Sequence, residues 1–238
     1  MKSNKVGYVI GNGTSRKDFD LKKLHHSVTV GCNMSYKDFE PSYLVAIDRD
    51  MKNSPCDVIE KIIARKTSKK KARKWRYLTR SFVPWRSGSD KGAWWMTEED
   101  IPLIDERQLN RGFCHNSGMF GALYLSQVRQ FDVVYLIGID FFRPTKEGKN
   151  DIYGGTFESD PGLIKVWNHM FAGAPTKFLA GTRDKDGQPE FVTKNLIDTK
   201  FIRVGPIVDT DREYYKTEHP LLECIENFDD MPIVCADF

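Results

Sequence analysis

Four apolar runs end in residues that can hold a polar ligand. Tyr8-Val9-Ile10 gives way to Gly11-Asn12-Gly13-Thr14-Ser15, and Ser27-Val28-Thr29-Val30 to Gly31-Cys32-Asn33. Tyr43-Leu44-Val45-Ala46-Ile47 is followed by Asp48-Arg49-Asp50, and Val133-Val134-Tyr135-Leu136-Ile137 by Gly138-Ile139-Asp140. In an open parallel sheet the carboxyl ends of the strands share one edge, and ligands bind in the crevice outside it. Asn12, Asn33, Asp48 and Asp140 are therefore expected to converge. Gly, Asn and Asp are also ordinary turn residues, which accounts for any one of these positions. Their recurrence after four successive strands is what points to a site.

The first of these loops has chemistry of its own. Glycine lets backbone N–H groups approach a ligand, and a helix following the loop would add its partial positive end. Thr14 and Ser15 can donate hydroxyl hydrogen bonds or cap that helix. Gly11 to Ser15 therefore suits an anion, most simply a phosphate. It matches neither GxGxxG nor GxxxxGK[ST]. Asn116-Ser117-Gly118, at the entry to an apolar helix, offers a second anion site by the same physics, and also reads as an ordinary N-cap worth about 1 kcal/mol.

The elements that must position these residues follow from the pattern. The runs are continuous or nearly continuous in apolar residues, as in a parallel sheet covered on both faces. Lys200-Phe201-Ile202-Arg203-Val204 is more amphipathic and is expected nearer an edge. Ser54-Pro55-Cys56-Asp57 opens a helix with Val58, Ile59, Ile62 and Ile63 on one face. A second helix, apolar nearly all round and hence buried, is expected from Gly118 to about Arg129. Alternating strands and helices predict one doubly wound α/β domain over residues 1–238. Two excursions leave it, a basic Trp-rich one at about 66–112 and a possible lid at about 143–195. The 238 residues are 40% hydrophobic and 29% charged, ordinary for a globular chain, with a formal net charge of +3. No apolar run approaches the ~20 residues of a membrane helix. The five cysteines contain no CxxC pair, so a zinc ribbon is not expected. No signal-peptide apolar region stands at the start. The expected location is cytoplasmic.

These residues together resemble a known family. Gly11-Asn12-Gly13-Thr14-Ser15, Cys32-Asn33, Ser117-Gly118 opening an apolar helix, and Tyr135-Leu136-Ile137-Gly138-Ile139-Asp140-Phe141 are similar in order and approximate spacing to the bacterial CMP-sialic acid-dependent sialyltransferases. A broader group with the same frame contains 6-hydroxymethylpterin diphosphokinase-like and motility-associated glycosylation proteins. The resemblance covers roughly residues 5–50 and 112–142. It implies a Rossmann-like fold and a nucleotide held at the strand ends, with Asn12 and Asn33 on the donor, Ser117 facing the nucleotide, and Asp48 at the position of a ribose-contacting asparagine. Phe142 stands where the family has a tyrosine that helps the leaving phosphate. Tyr153 to Pro161, comparable to the stretch bearing the family's lid histidine, has none. Tyr153 is then the candidate phosphate-contacting phenol, and Glu158 or Asp160 the candidate base.

Asp48-Arg49-Asp50 also has the DxD spacing with which many glycosyltransferases hold Mn²⁺ or Mg²⁺ on a diphosphate. The tripeptide is common, and the sialyltransferases it is compared with need no metal. His115, before the Ser117 helix, and His169 are further catalytic candidates, although a lone histidine is more often structural. Residues 65–76 contain eight cationic residues and no acid, with Trp85, Trp94 and Trp95 nearby. Such a stretch suits an anionic saccharide acceptor or a nucleic acid, and equally a solvated helix face. The leading expectation is a nucleotide-sugar-dependent, sialyltransferase-like glycosyltransferase with a CMP-sugar as first donor. The alternatives are a diphosphokinase-like enzyme using ATP and metal, and a non-catalytic nucleotide- or nucleic-acid-binding protein.

Overall fold

The computed structural model describes residues 4–46, 76–79, 117–140, 151–153, 167–168, 170–172, 176–183, 189–194, 198–207 and 219–235. The strands are β1 (Val6–Ile10), β2 (Val28–Cys32), β3 (Tyr43–Ala46), β4 (Arg76–Thr79), β5 (Val133–Ile137), β6 (Thr176–Arg183), β7 (Pro189–Lys194), β8 (Lys200–Val204) and β9 (Leu222–Ile225). Seven of them form one sheet in the order β4-β3-β2-β1-β5-β8-β9, and every pairing in it is parallel. The chain builds outward from β1 to β4, then returns to the other side of β1 for β5. The topological switch point lies between β1 and β5. β6 and β7 form a separate antiparallel pair. This is the doubly wound, Rossmann-like α/β class.

The period of two within each strand sorts the core onto two faces. Val9, Val30, Val45, Val134, Leu136 and Phe201 belong to one cluster with Met119, Ala122, Leu123 and Leu125. Tyr8, Ile10, Tyr135, Ile137, Ile202 and Val204 belong to the other, with Phe19, Leu21, Leu24, Phe39 and Met231. The first cluster contains helix α1 (Ser117–Leu123), which continues as a π turn through Tyr124–Val128. Among the described residues the second takes Leu21 and Leu24 from a short 3₁₀ turn at Leu21–Leu24 and packs against Phe228 of another at Phe228–Asp230. Tyr8, fully buried, has its hydroxyl satisfied by the 232–234 segment: it donates to Pro232 O (2.8 Å) and accepts from Val234 N (2.9 Å).

Three local expectations are corrected. β2 starts one residue later than its apolar run and ends two residues later, at Cys32, because Gly31 pairs with Ile10 on one side and Leu44 on the other. The helix of residues 118–129 is regular only to Leu123. No α-helix follows the glycine loop; a three-residue 3₁₀ turn does. β8 does lie toward an edge, as expected, one strand in between β5 and β9, and its amphipathic look comes from Arg203, which is fully buried. The helix expected after Ser54 lies outside the described residues. No helix among the described residues is long and apolar enough to cross a membrane.

Candidate functional site

All strands of the large sheet being parallel, their carboxyl ends bring Asn12, Asn33 and Asp140 to one edge. Their roles there differ. The chain leaves β1 at Gly11, whose N–H donates to Ile137 O (2.8 Å), and Gly13 N–H donates to Gly138 O (2.8 Å). The β1 loop thus lies directly on the β5 loop. A Cβ on Gly11 would overlap Gly138 O, and one on Gly13 would overlap the Asp140 carboxylate. Gly13 has φ −65° and ψ 149°, a conformation open to any residue, so its requirement is steric. The side chains that are missing from this loop make room for the protein's own β5 loop.

Asp140 locks that contact. Its carboxylate accepts from Ser15 N (3.1 Å) and from Ser15 Oγ, and it pairs with Arg203 at 3.4 Å. The two side chains are 2% and 0% exposed. Arg203 also donates to Gly205 O and to Pro206 O (2.7 Å for the latter). Asp140, expected to contact ligand, instead serves through its side chain as an internal strut, and Ser15 is spent on it. The N–H groups of Gly11, Gly13, Ser15 and Arg16 donate to Ile137 O, Gly138 O, Asp140 Oδ2 and Gly13 O respectively. Three of the five amides in the expected Gly11–Ser15 row are thus spent inside the protein.

Asn12 stands between these anchored positions. Its carbonyl accepts from Ile152 N (3.0 Å), beside an antiparallel bridge between Gly13 and Asp151. Its side-chain Oδ1 is buried and has no hydrogen-bond partner among the described residues. An acceptor left unmatched in this way costs about 1–3 kcal/mol, and such groups in folded proteins call for a reason. Asn33 occupies the end of β2 in the left-handed region (φ 48°), a conformation asparagine tolerates better than most residues. Its Oδ1 accepts from Ser117 Oγ (2.8 Å). Two residues singled out in the sequence 84 positions apart are thus joined, at the end of β2 and the start of α1. Gly118 follows Ser117 in the buried first turn.

Arg16 was not among the expected site residues. Only 3% exposed, it donates from Nε to Gly11 O (2.6 Å) and from Nη2 to Tyr153 OH (2.9 Å), and it pairs with Asp38 (3.3 Å). Tyr153 OH in turn donates to Asp38 Oδ2 (2.7 Å). Burial, and then the Asp38 carboxylate, raise the Tyr153 phenol above its ordinary pKa, so the hydroxyl stays protonated. Tyr153, expected to touch phosphate, spends its hydroxyl between Arg16 and Asp38. Burial likewise pushes the Cys32 thiol at the end of β2 up to about 12, against the opposing charge of Arg16.

His115, Asp48, Asp50, Glu158, Asp160 and His169, and the basic residues 65–75, lie outside the described residues. Among the described residues no group of three or more His, Cys, Asp or Glu side chains could hold a metal ion. Comparisons of the chain with protein-family models, with curated proteins and with solved structures find no match.

Proposed function

We propose that the chain binds a nucleotide at the carboxyl edge of β1, β2 and β5, and that it is a transferase using a nucleotide sugar, a CMP-sugar first, as glycosyl donor. The observation that carries this reading is the buried, unmatched Oδ1 of Asn12 at the switch point of a doubly wound sheet. A ribose hydroxyl or an exocyclic amine supplies the donor it lacks. The adjoining Asn33–Ser117 pair supports the same placement, since it fixes a second carboxamide at the next strand end before any ligand arrives. The motif order shared with the sialyltransferases supports the donor class. Transfer then needs a base on the acceptor hydroxyl and stabilisation of the departing phosphate, with Glu158, Asp160, His115 and His169 as candidates for the base.

A thermal-shift panel of CMP, UDP, GDP and ATP, each with and without Mn²⁺, tests the binding step. A ligand at 100 times its dissociation constant adds about 2.7 kcal/mol of stability. Stabilisation by CMP without metal, followed by release of CMP from a CMP-sugar in the presence of saccharide acceptors, is the expected result. Stabilisation by ATP only with metal would favour the diphosphokinase alternative. No stabilisation by any member of the panel would overturn the nucleotide reading.

A further inference from the structure

We infer that Arg16 is the anion-binding residue of this site and takes the phosphate of the ligand through the free end of its guanidinium. The inference rests on the nucleotide reading above and reassigns the phosphate from the glycine loop to a buried side chain.

Two properties of the loop make a different anion holder necessary. Three of its five N–H groups, those of Gly11, Gly13 and Ser15, are already donated within the protein. The turn that follows is only three residues long, so it brings no α-helical dipole to bear. Phosphate binding in a partly closed site then calls for a cationic side chain. Among the described residues two arginines are buried at this edge. Arg203 is neutralised in place by Asp140, with neither side chain exposed beyond 2%. Arg16 differs in the solvation of its counter-ion, the pairing distances being alike at 3.3 and 3.4 Å. Asp38 meets it through one nitrogen at 3.3 Å, is itself 43% exposed, and shares the same oxygen with Tyr153. Nε and Nη2 are used, whereas Nη1 makes no hydrogen bond among the described residues. A buried guanidinium with one arm unspent and a half-solvated counter-ion retains positive potential. Its planar fork suits phosphate oxygens.

Its location is also fixed by contacts. The Cγ and Cδ atoms of Arg16 lie where a Cβ on Gly138 would meet them at 2.9 and 2.8 Å, so the stem passes against the β5 loop. Nε holds the carbonyl of Gly11, the residue before Asn12, and Tyr153 belongs to the segment whose Ile152 N–H holds the carbonyl of Asn12. The guanidinium is thus bonded to both segments that fix Asn12. The Lys37 ammonium, 5.3 Å from the centroid of the Tyr153 ring, adds a second positive charge to this neighbourhood. Asp151 is turned to Tyr153 N, from which its Oδ1 accepts at 2.7 Å. A nucleotide whose hydroxyl or amine satisfies Asn12 would then place its phosphate against Arg16.

The test separates phosphate from nucleoside. The four ribonucleoside monophosphates and their nucleosides are titrated calorimetrically into the wild-type protein, Arg16→Lys and Asp38→Asn. The quantity read is the ratio of nucleotide to nucleoside affinity, or nucleotide affinity alone where the nucleoside is too weak. Arg16→Lys keeps a charge and loses the fork, and should lower that ratio about tenfold. Asp38→Asn removes the competing carboxylate and should raise it about threefold, with nucleoside affinity unchanged. Asp38 is on the surface, so its variant keeps the test decisive even if Arg16→Lys does not fold. A ratio unchanged in Asp38→Asn overturns the assignment to Arg16 while leaving nucleotide binding intact. Absence of any nucleotide or nucleoside binding to wild type instead overturns the functional reading on which the assignment rests.

Discussion

Replacing Asp140 by Asn isolates the energetic role of the switch-point strut. The substitution keeps the shape of the side chain and one acceptor for Ser15, and removes the negative charge that faces Arg203 at 3.4 Å. With side chains 2% and 0% exposed, neither partner can turn to water when the other is neutralised. Removing one member of a buried pair costs roughly 3–5 kcal/mol, mostly from the orphaned charge. Because Arg203 keeps the carbonyls of Gly205 and Pro206, the lower end, about 3 kcal/mol, is expected. At about 2–4 °C per kcal/mol for a chain of this size, the melting temperature should fall by roughly 6–12 °C. Urea unfolding at pH 7 of wild type, Asp140→Asn, Arg203→Met and the double variant completes the cycle. The double variant carries no buried charge at this position, so it should be more stable than the sum of the single losses predicts, by about 2 kcal/mol or more. A cost below about 1 kcal/mol for Asp140→Asn, or additive single losses, would refute the idea that a desolvated ion pair fixes the β1 and β5 loops together.

Three further outcomes follow from the same geometry. Gly13→Ala should destabilise the ligand-free protein by about 1–3 kcal/mol through overlap with Asp140, and Asp140→Gly should relieve part of that loss; equal losses with and without Asp140, measured by urea unfolding, would place the clash elsewhere. Asn33→Gly should lose only the Ser117 bond, whereas Asn33→Ala also takes on the left-handed backbone at φ 48° and should melt lower by about 1–2 kcal/mol of extra cost. Cys32 is held protonated up to about pH 12 in the folded state against an ordinary 9.0, so above pH 9 the unfolded chain binds fewer protons than the folded one and stability falls, by about 1.4 kcal/mol per pH unit; Cys32→Ala should flatten that decline between pH 9 and 10 in denaturant melts.

The sheet was legible where burial on both faces leaves a nearly unbroken apolar run. Val6–Ile10 and Val133–Ile137 are such runs, and they are the two central strands. Legibility fades toward the edges. Arg76–Thr79 follows directly on a cationic stretch, and Leu222–Ile225 places Glu223 and Cys224 in exposed positions on the outermost strand, so neither carries the apolar signal. The site divides in the same way. Asn12, Asn33 and Ser117 could be picked out because small polar residues at strand ends are conspicuous in one dimension. Arg16 and Arg203 could not, because a cation in a short segment reads as solvent-facing until its partner is known. The partner of Arg203 is 63 residues away and that of Arg16 is 22 away. Ion pairs across such separations carry no periodicity from which to infer them.

The Gly11-Asn12-Gly13 triplet shows why small residues at a strand end are an ambiguous sign of a ligand. Positions 11 and 13 face the same neighbour, since a Cβ at either would meet Gly138 O. Both glycines face the β5 loop, which approaches too closely for any Cβ. Asn12 lies between them, and its Oδ1 is left buried without a partner among the described residues. The glycines are therefore explained by folding, and the asparagine is not. The proposed nucleotide would account for the residue between them, which places the loop's part in that proposal on one carboxamide and on the arginine that holds the preceding carbonyl.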